Sequence, residues 1–178
     1  STYQSSRSHL MKIALIVAMD EHRGIGKNND LMWHLPAEMR FFTETTKGHI
    51  VVMGRKNYDS IPLKYRPLPN RENVILSRNA NFDAGECKIF ASIDSCIDFF
   101  KDEAERTVFI IGGGQIYNEA VNHPKLEEMY ITEIHHAFEP DTFFPNFDEF
   151  KWKKESVLKY EADEKNPHSF EVFKYTRI

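Results

Sequence analysis

Thr107-Val108-Phe109-Ile110-Ile111-Gly112-Gly113-Gly114-Gln115-Ile116-Tyr117, running on to Val121, is the stretch on which the reading of the fold turns. An apolar, β-branched run too short for a helix is a strand buried on both faces; the residues after the glycines have helical spacing. The same strand-then-helix order recurs on either side. Residues 13–19 read as a buried strand, followed by a long Gly- and Asn-bearing loop at 20–34. A helix over 36–46 then starts at Pro36, a favoured first helical position, and stops at Lys47 and Gly48. Residues 50–53 run into Gly54 and a short helix ending near Ile61; 73–76 and 88–90 are strands, and 93–101 is an amphipathic helix. Strand and helix in alternation imply a largely parallel sheet with right-handed crossovers. The last third differs: 129–134, 153–160 and 169–176 are strands without intervening helices, the final pair joined by the polar turn region 161–168. The pattern predicts an α/β fold with a central mixed, mostly parallel β-sheet flanked by helices and closed by a C-terminal antiparallel hairpin.

Composition narrows the function classes. The chain has 178 residues, of which 41% are hydrophobic and 28% charged, the profile of one globular domain able to bury a sizeable core. A formal charge of -4 argues against a general nucleic-acid binder. The longest apolar runs are strand length, so no membrane span is expected. Cys87 and Cys96 lie too far apart for a paired metal or redox motif, and a reducing cytoplasm is the expected setting. His135 and His136 are adjacent on a strand and point to opposite faces, so no metal site is expected there. Residues 1–10 are polar and serine-rich; they read as an expression leader ahead of a single domain at 11–178.

Two features carry chemistry. The first is the glycine turn at Gly112-Gly113-Gly114, which lets backbone approach a bulky ligand and aims N–H groups at an anion, or is simply a tight strand-to-helix turn. Gly54-Arg55-Lys56 and Ser77-Arg78 stand at other strand ends, and in a parallel sheet these ends share one edge, where they suit a phosphomonoester. The second is Glu38, a carboxylate among Leu35, Pro36, Met39, Phe41 and Phe42 and just after Trp33. It is either a first-turn acid complementing the helix dipole or an acid awaiting a ligand, because Arg40 points away from its face.

Several segments together resemble the dihydrofolate reductase family: Ile25-Gly26, Leu31-Met32-Trp33-His34-Leu35-Pro36-Ala37-Glu38, Val52-Met53-Gly54-Arg55, Arg66-Pro67-Leu68-Pro69-Asn70-Arg71, residues 110–117, and Asp141-Thr142-Phe143-Phe144-Pro145. They keep the family's order and spacing from about Met11 to the end. The resemblance implies NADPH-dependent reduction of 7,8-dihydrofolate to 5,6,7,8-tetrahydrofolate, by hydride transfer to C6 and protonation at N5, in support of one-carbon metabolism and thymidylate synthesis. It implies catalytic roles for Glu38, Trp33 and Leu31, Glu38 gripping the pterin through a two-bond fork. Substrate contacts are implied for Ile16, Val17, Ala18, Met39 and Phe42, for Ile61, Arg66, Leu68 and Ile111, and for Tyr117 and Thr132. Arg71 matches the arginine that holds the glutamate tail.

For the cofactor NADPH, the resemblance implies Ala18, Ile25 and Gly26 beside the nicotinamide, Arg55 and Lys56 as a phosphate-binding pair, and further contacts from Asn29, Leu31, Gly54 and Asn57. Leu76, Ser77 and Arg78 lie at the adenosine 2′-phosphate end. Gly112, Gly113, Gly114, Gln115, Ile116 and Tyr117 cover the pyrophosphate, with a cis peptide at the first glycine pair, and Thr142 completes the set. Antifolate inhibitors are implied partners, with a monomer as the working form. Departures from the family pattern are Met32 where many members have proline, Glu where many bacterial members have Asp, and an insertion at 62–65. A reductase of a riboflavin-synthesis pyrimidine shares this fold but does not need Glu38 and Arg71 together; a silent NADPH-binding protein is the other alternative.

Overall fold

Strand β1 (Lys12–Met19) is the axis of the molecule, with almost every residue after Lys12 buried. The computed structural model describes residues 11–79 and 81–178; the leader expected at 1–10 lies outside the described residues. Along the chain follow β2 (Gly24–Gly26), helix α1 (Pro36–Thr46), β3 (Ile50–Gly54) and α2 (Arg55–Ser60). Then come β4 (Glu72–Leu76), β5 (Lys88–Phe90), α3 (Ile93–Phe99), β6 (Thr107–Gly112) and α4 (Gly114–Ala120). The last strands are β7 (Glu128–Ile134), β8 (Thr142–Phe143), β9 (Trp152–Tyr160) and β10 (Phe170–Arg177).

Among the described residues, eight strands form one sheet in the order β5-β4-β3-β6-β1-β7-β10-β9. The pairs from β5 to β7 are parallel, and β10 runs antiparallel to both β7 and β9. This is the mixed sheet with a C-terminal antiparallel hairpin that the sequence pattern predicts. Period-2 alternation sorts β1 between two cores. Ala14 and Ile16 join Val51, Met53, Ile75 and Phe109 under α1 and α2. Leu15, Val17 and Met19 face α3 and α4 with Ile50, Val52, Val74 and Ile110.

Helix α1 begins with Pro36 in its first turn, but its N-cap, Leu35, has no side-chain oxygen. The orphan N–H of Ala37 instead donates to the Asn166 side chain at 2.8 Å. Asn166 is buried and held in turn by Asp163 Oδ1, at 2.8 Å from its backbone N and 3.0 Å from Nδ2. The polar connection before β10 thus acts as a remote cap. The far end stops as expected, at Lys47 and at Gly48 with φ +80.

β1 is also where the sheet divides. Its register with β6 ends at Leu15↔Ile110, whereas its register with β7 continues to Met19↔Glu133. On the β6 side the register with β3 slips after Val52↔Ile110, leaving Ile111 as an extra residue before Gly112. The chain moves from β1 outward to β3, β4 and β5, then returns through β6 to pass to β7. Ligands of open α/β sheets bind at such a reversal, beyond the carboxyl ends of the strands.

The segment expected to be one long mobile loop at 20–34 contains β2, paired antiparallel with β8. Its root is the buried Asp20 carboxylate, which accepts from His22 N at 2.8 Å, Gly24 N at 2.7 Å and Phe138 N at 2.9 Å. Asp141 accepts from Asn28 N at 2.9 Å farther along. Two carboxylates therefore pin residues 20–28 of a stretch whose composition alone signals only flexibility. Among the described residues, no helix is long and apolar enough to cross a membrane.

Candidate active site

The cleft opens where β1 and β6 part. Tyr117 of α4 reaches across it, its phenol 2.8 Å from the Ile16 carbonyl and 2.7 Å from the Ile111 carbonyl. One O–H serves two carbonyls, each left without a ladder N–H donor where the strands part. Burial, and then the negative charge of Glu38, push the Tyr117 pKa up, so the phenol stays protonated and lies within electrostatic reach of that acid.

Glu38 sits in the first turn of α1. Burial pushes its carboxyl group up to about 7, and among the described residues the Trp33 indole is the one group that favours its ionised form. No Lys or Arg contributes to that ionisation among the described residues. The buried Trp33 Nε1 nevertheless has no partner at hydrogen-bonding geometry. The indole N–H is thus close enough to Glu38 to favour its carboxylate but does not meet it at full hydrogen-bonding geometry. An acid short of donors and a donor short of an acceptor face the same space. Trp33 is fixed from behind by Phe138, with ring centroids 5.7 Å apart.

The opposite end of α1 carries the complementary charge. Arg71 Nε donates to the Pro69 carbonyl at 2.8 Å and Nη1 to Thr46 Oγ1 at 3.2 Å, with the guanidinium over the Phe42 ring at 5.9 Å. Burial alone lowers its pKa, with no carboxylate acting on it among the described residues. Glu38 and Thr46 are two turns apart, ~12 Å along the helix axis. Ile16, Phe42, Ile61, Leu68 and Ile111 belong to one apolar cluster between these ends. Met39 is 48% exposed at the helix edge, while Thr132 is buried on β7 opposite Ala18.

Two expected substrate contacts are differently placed. Val17 turns its side chain into the core under α3 and α4, because it alternates with Ile16 and Ala18. Arg66 Nη1 donates to the Tyr58 carbonyl at 3.0 Å and its guanidinium lies 4.9 Å from the Tyr58 ring centroid, which engages it with α2.

The glycine turn forms the other wall. The Gly112-Gly113 peptide is cis and Gly112 has φ +125, a left-handed value that suits glycine. A Cβ on Gly112 would meet Tyr117 at 3.3 Å and Asn57 Nδ2 at 3.4 Å; one on Gly54 would meet Ile116 Cγ1 at 3.1 Å; one on Gly114 would meet Thr142 Cγ2 at 2.8 Å and Ile25 Cδ1 at 4.0 Å. These close approaches bring Gly54, Asn57, Ile116, Tyr117, Thr142 and Ile25 to one place. Gly113 has open space where a Cβ would stand, and as N-cap of α4 it makes no side-chain cap bond. The result is an open backbone cradle at the start of α4, where the first N–H groups of a helix have no intrahelical acceptor.

Along its rim, Arg55, Lys56, Arg78 and Gln115 are exposed and Ser77 partly so, with Leu76 buried at the end of β4. Gly26 is buried in β2, whereas Asn29 and Leu31 lie exposed on the loop above the cleft, Leu31 at 51%. Asn166 and Asp20 support the site but were not marked by local sequence. Neither sits in a motif, and each acts on a partner distant in the chain.

A family model for dihydrofolate reductase matches residues 12–177. A dihydrofolate reductase of Staphylococcus haemolyticus is 48% identical over 170 residues, covering 94% of this chain and 97% of that protein. One from Bacillus subtilis is 41% identical over 165 residues, covering 93% and 94%. Among solved structures, dihydrofolate reductase from Enterococcus faecalis complexed with NADP(H) and RAB-propyl superposes with a TM-score of 0.85 at 34% identity, covering 93% of this chain and 96% of that one.

Proposed function

This chain belongs to the dihydrofolate reductase family, and from that membership we propose how its own residues reduce 7,8-dihydrofolate to 5,6,7,8-tetrahydrofolate with NADPH. The observation that carries the reading is the pair of ionisable groups with no oppositely charged partner among the described residues, Glu38 and Arg71, at the two ends of α1 with an apolar trough between them. Dihydrofolate has matching chemistry: hydrogen-bond donors on the pterin, a flat apolar middle and an anionic glutamate tail.

Glu38 accepts the pterin amino group and the neighbouring ring N–H in a two-bond fork, the charge-assisted pairing it lacks within the protein. Ile16, Phe42 and Ile111 enclose the rings, and Ile61 and Leu68 the aminobenzoyl group. Arg71 receives the tail carboxylate in a planar fork. Thr132, buried beside Ala18, steadies the pterin end, and the Tyr117 phenol holds the cleft walls at their spacing. A proton passes to N5 through water beside Glu38 and the unsaturated Trp33 indole. The value of about 7 places Glu38 where it can hold or release a proton near neutrality.

The cradle fits the dinucleotide: open space at Gly113, free N–H groups at the turn, and cations at the ends of β3 and β4. Gly112 to Tyr117 cover the pyrophosphate, Arg55 and Lys56 bind phosphate, and Ser77 and Arg78 take the 2′-phosphate. Ala18, Ile25 and Gly26 flank the nicotinamide, with Leu31 of the loop excluding water. When bound, NADPH supplies the hydride for C6. The enzyme acts as a monomer, and its free thiols Cys87 and Cys96 suit a reducing cytoplasm. Antifolates that carry a diaminopyrimidine compete at Glu38. Purified protein is expected to consume NADPH absorbance only when dihydrofolate is added; no dihydrofolate-dependent loss would overturn the reading.

A further inference from the structure

Phe82 lies in the connection between β4 and β5, outside every ligand contact assigned above. Its ring supports the Arg55 guanidinium, with the central carbon 4.2 Å from the ring centroid. Arg55 Nε is also 3.5 Å from Asp59 Oδ2, one helical turn on. The ring is itself held from behind, packed against the cluster of Tyr58, Ile75 and Ala84. The connection is braced by its own short bonds: Asn79 N to Ser77 Oγ at 3.1 Å, Asn81 N to Asn79 Oδ1 at 3.0 Å and Gly85 N to Asp83 Oδ1 at 2.9 Å. The Arg55 side chain is 42% exposed. Without a surface to lie on it would sample many rotamers.

Register explains why this matters for a ligand. Gly54 of β3 pairs with Leu76 of β4, so Arg55 and Ser77 leave neighbouring parallel strands side by side, with Arg78 next. A guanidinium lying over a ring, with a carboxylate on its Nε side, has fewer rotamers open to it and keeps its Nη donors for a ligand. In-plane forks are how arginine reads phosphate.

We propose that Phe82 is a positioning residue for the 2′-phosphate of the dinucleotide: it fixes the Arg55 guanidinium beside Ser77 and Arg78 and so contributes to the choice of NADP(H) over NAD(H). The inference rests on the NADPH assignment given under the proposed function; it narrows the phosphate met by Arg55 to the 2′-phosphate, on the register that sets it beside Ser77, and adds a residue that touches the ligand only through another.

Titrating the full chain with NADP+ and with NAD+, followed by tryptophan fluorescence and without turnover, tests it. Phe82→Leu is expected to weaken NADP+ binding about fivefold, the size of a partly exposed cation–π contact, and to leave NAD+ binding unchanged. Phe82→Tyr, which keeps the ring, is expected to restore the parental ratio. In an Arg55→Ala background Phe82→Leu is expected to do nothing more, since the partner is already gone. An unchanged NADP+ to NAD+ ratio in Phe82→Leu, or an equal loss in the Arg55→Ala background, overturns the role of Phe82 alone. A parent that binds both nucleotides equally overturns the 2′-phosphate assignment beneath it.

Discussion

Replacing Glu38 by Gln should make the free protein more stable at alkaline pH and no more stable in acid. The cleft end of α1 holds a carboxyl group moved by burial from 4.5 to about 7, a penalty on its ionised form of ~3 kcal/mol. The folded state keeps this proton up to about pH 7, while the unfolded chain releases it near 4.5. Between those values the folded state binds more protons, so stability falls as pH rises. Below 4.5 both states are protonated and the cost vanishes; above about 7 it is present in full. The glutamine side chain of the variant keeps the shape and has no proton to lose. Urea unfolding of parent and Glu38→Gln in the absence of ligands, at a series of pH values spanning this window, should show the midpoints diverging as pH rises. The gap is expected to approach ~3 kcal/mol at alkaline pH. The same variant should turn over dihydrofolate slowly at neutral pH. A gap that stays constant with pH would mean that Glu38 is not desolvated in the folded protein, and the argument from its missing partner would fall with it.

Arg71→Leu is expected to raise the Michaelis constant for dihydrofolate while leaving kcat close to parental, since the tail is bound alike before and during the reaction. A charged hydrogen-bonded pair contributes ~1.5 to 3 kcal/mol, so steady-state kinetics should show a rise of about ten- to a hundredfold, and an unaltered constant would remove the tail assignment. Tyr117→Phe strips the donor from the Ile16 and Ile111 carbonyls and should lower unfolding free energy by ~1 to 3 kcal/mol. An unshifted urea midpoint would show that the phenol does not hold the cleft.

How much of this was legible follows from the range of the forces involved. The buried strands announced themselves because a strand covered on both faces must be apolar throughout, as residues 13–19 and 108–111 are. The ends of α1 were equally plain, since Pro36 and Gly48 act within their own turn. The order of strands in the sheet was not encoded locally: nothing near residue 170 says that β10 inserts between β7 and β9. For the same reason Asn166 was invisible as a cap, because its partner Ala37 stands far back in the chain. Val17 was assigned to the substrate by resemblance, although alternation with Ile16 already places its side chain on the other face. Arg66 shows the converse limit. The resemblance implies a substrate contact for it, yet the aromatic ring of Tyr58 and a backbone carbonyl engage it.

The site's two charges also explain why α1 is supported so heavily from outside itself. A helix of this length is marginal in isolation, and this one has no side-chain cap at its start and an acid that destabilises the folded state once ionised. Asn166 satisfies one of its free N–H groups, and Asp163 in turn fixes Asn166. At the other end the buried Thr46 donates its hydroxyl to the Phe42 carbonyl at 2.8 Å while accepting from Arg71, so the last turn and the tail arginine are fixed by one side chain. The apolar face of the helix is then left to serve the ligand as much as the core: Phe42 is only partly buried and Met39 is half exposed. Filling that trough with larger apolar groups and neutralising Glu38 would stabilise the fold and abolish the site, the usual exchange between stability and activity. The deeply buried sheet, with Val51, Met53, Ile75 and Ile110 almost wholly out of solvent, is what permits a helix so poorly satisfied on its own to stay in place.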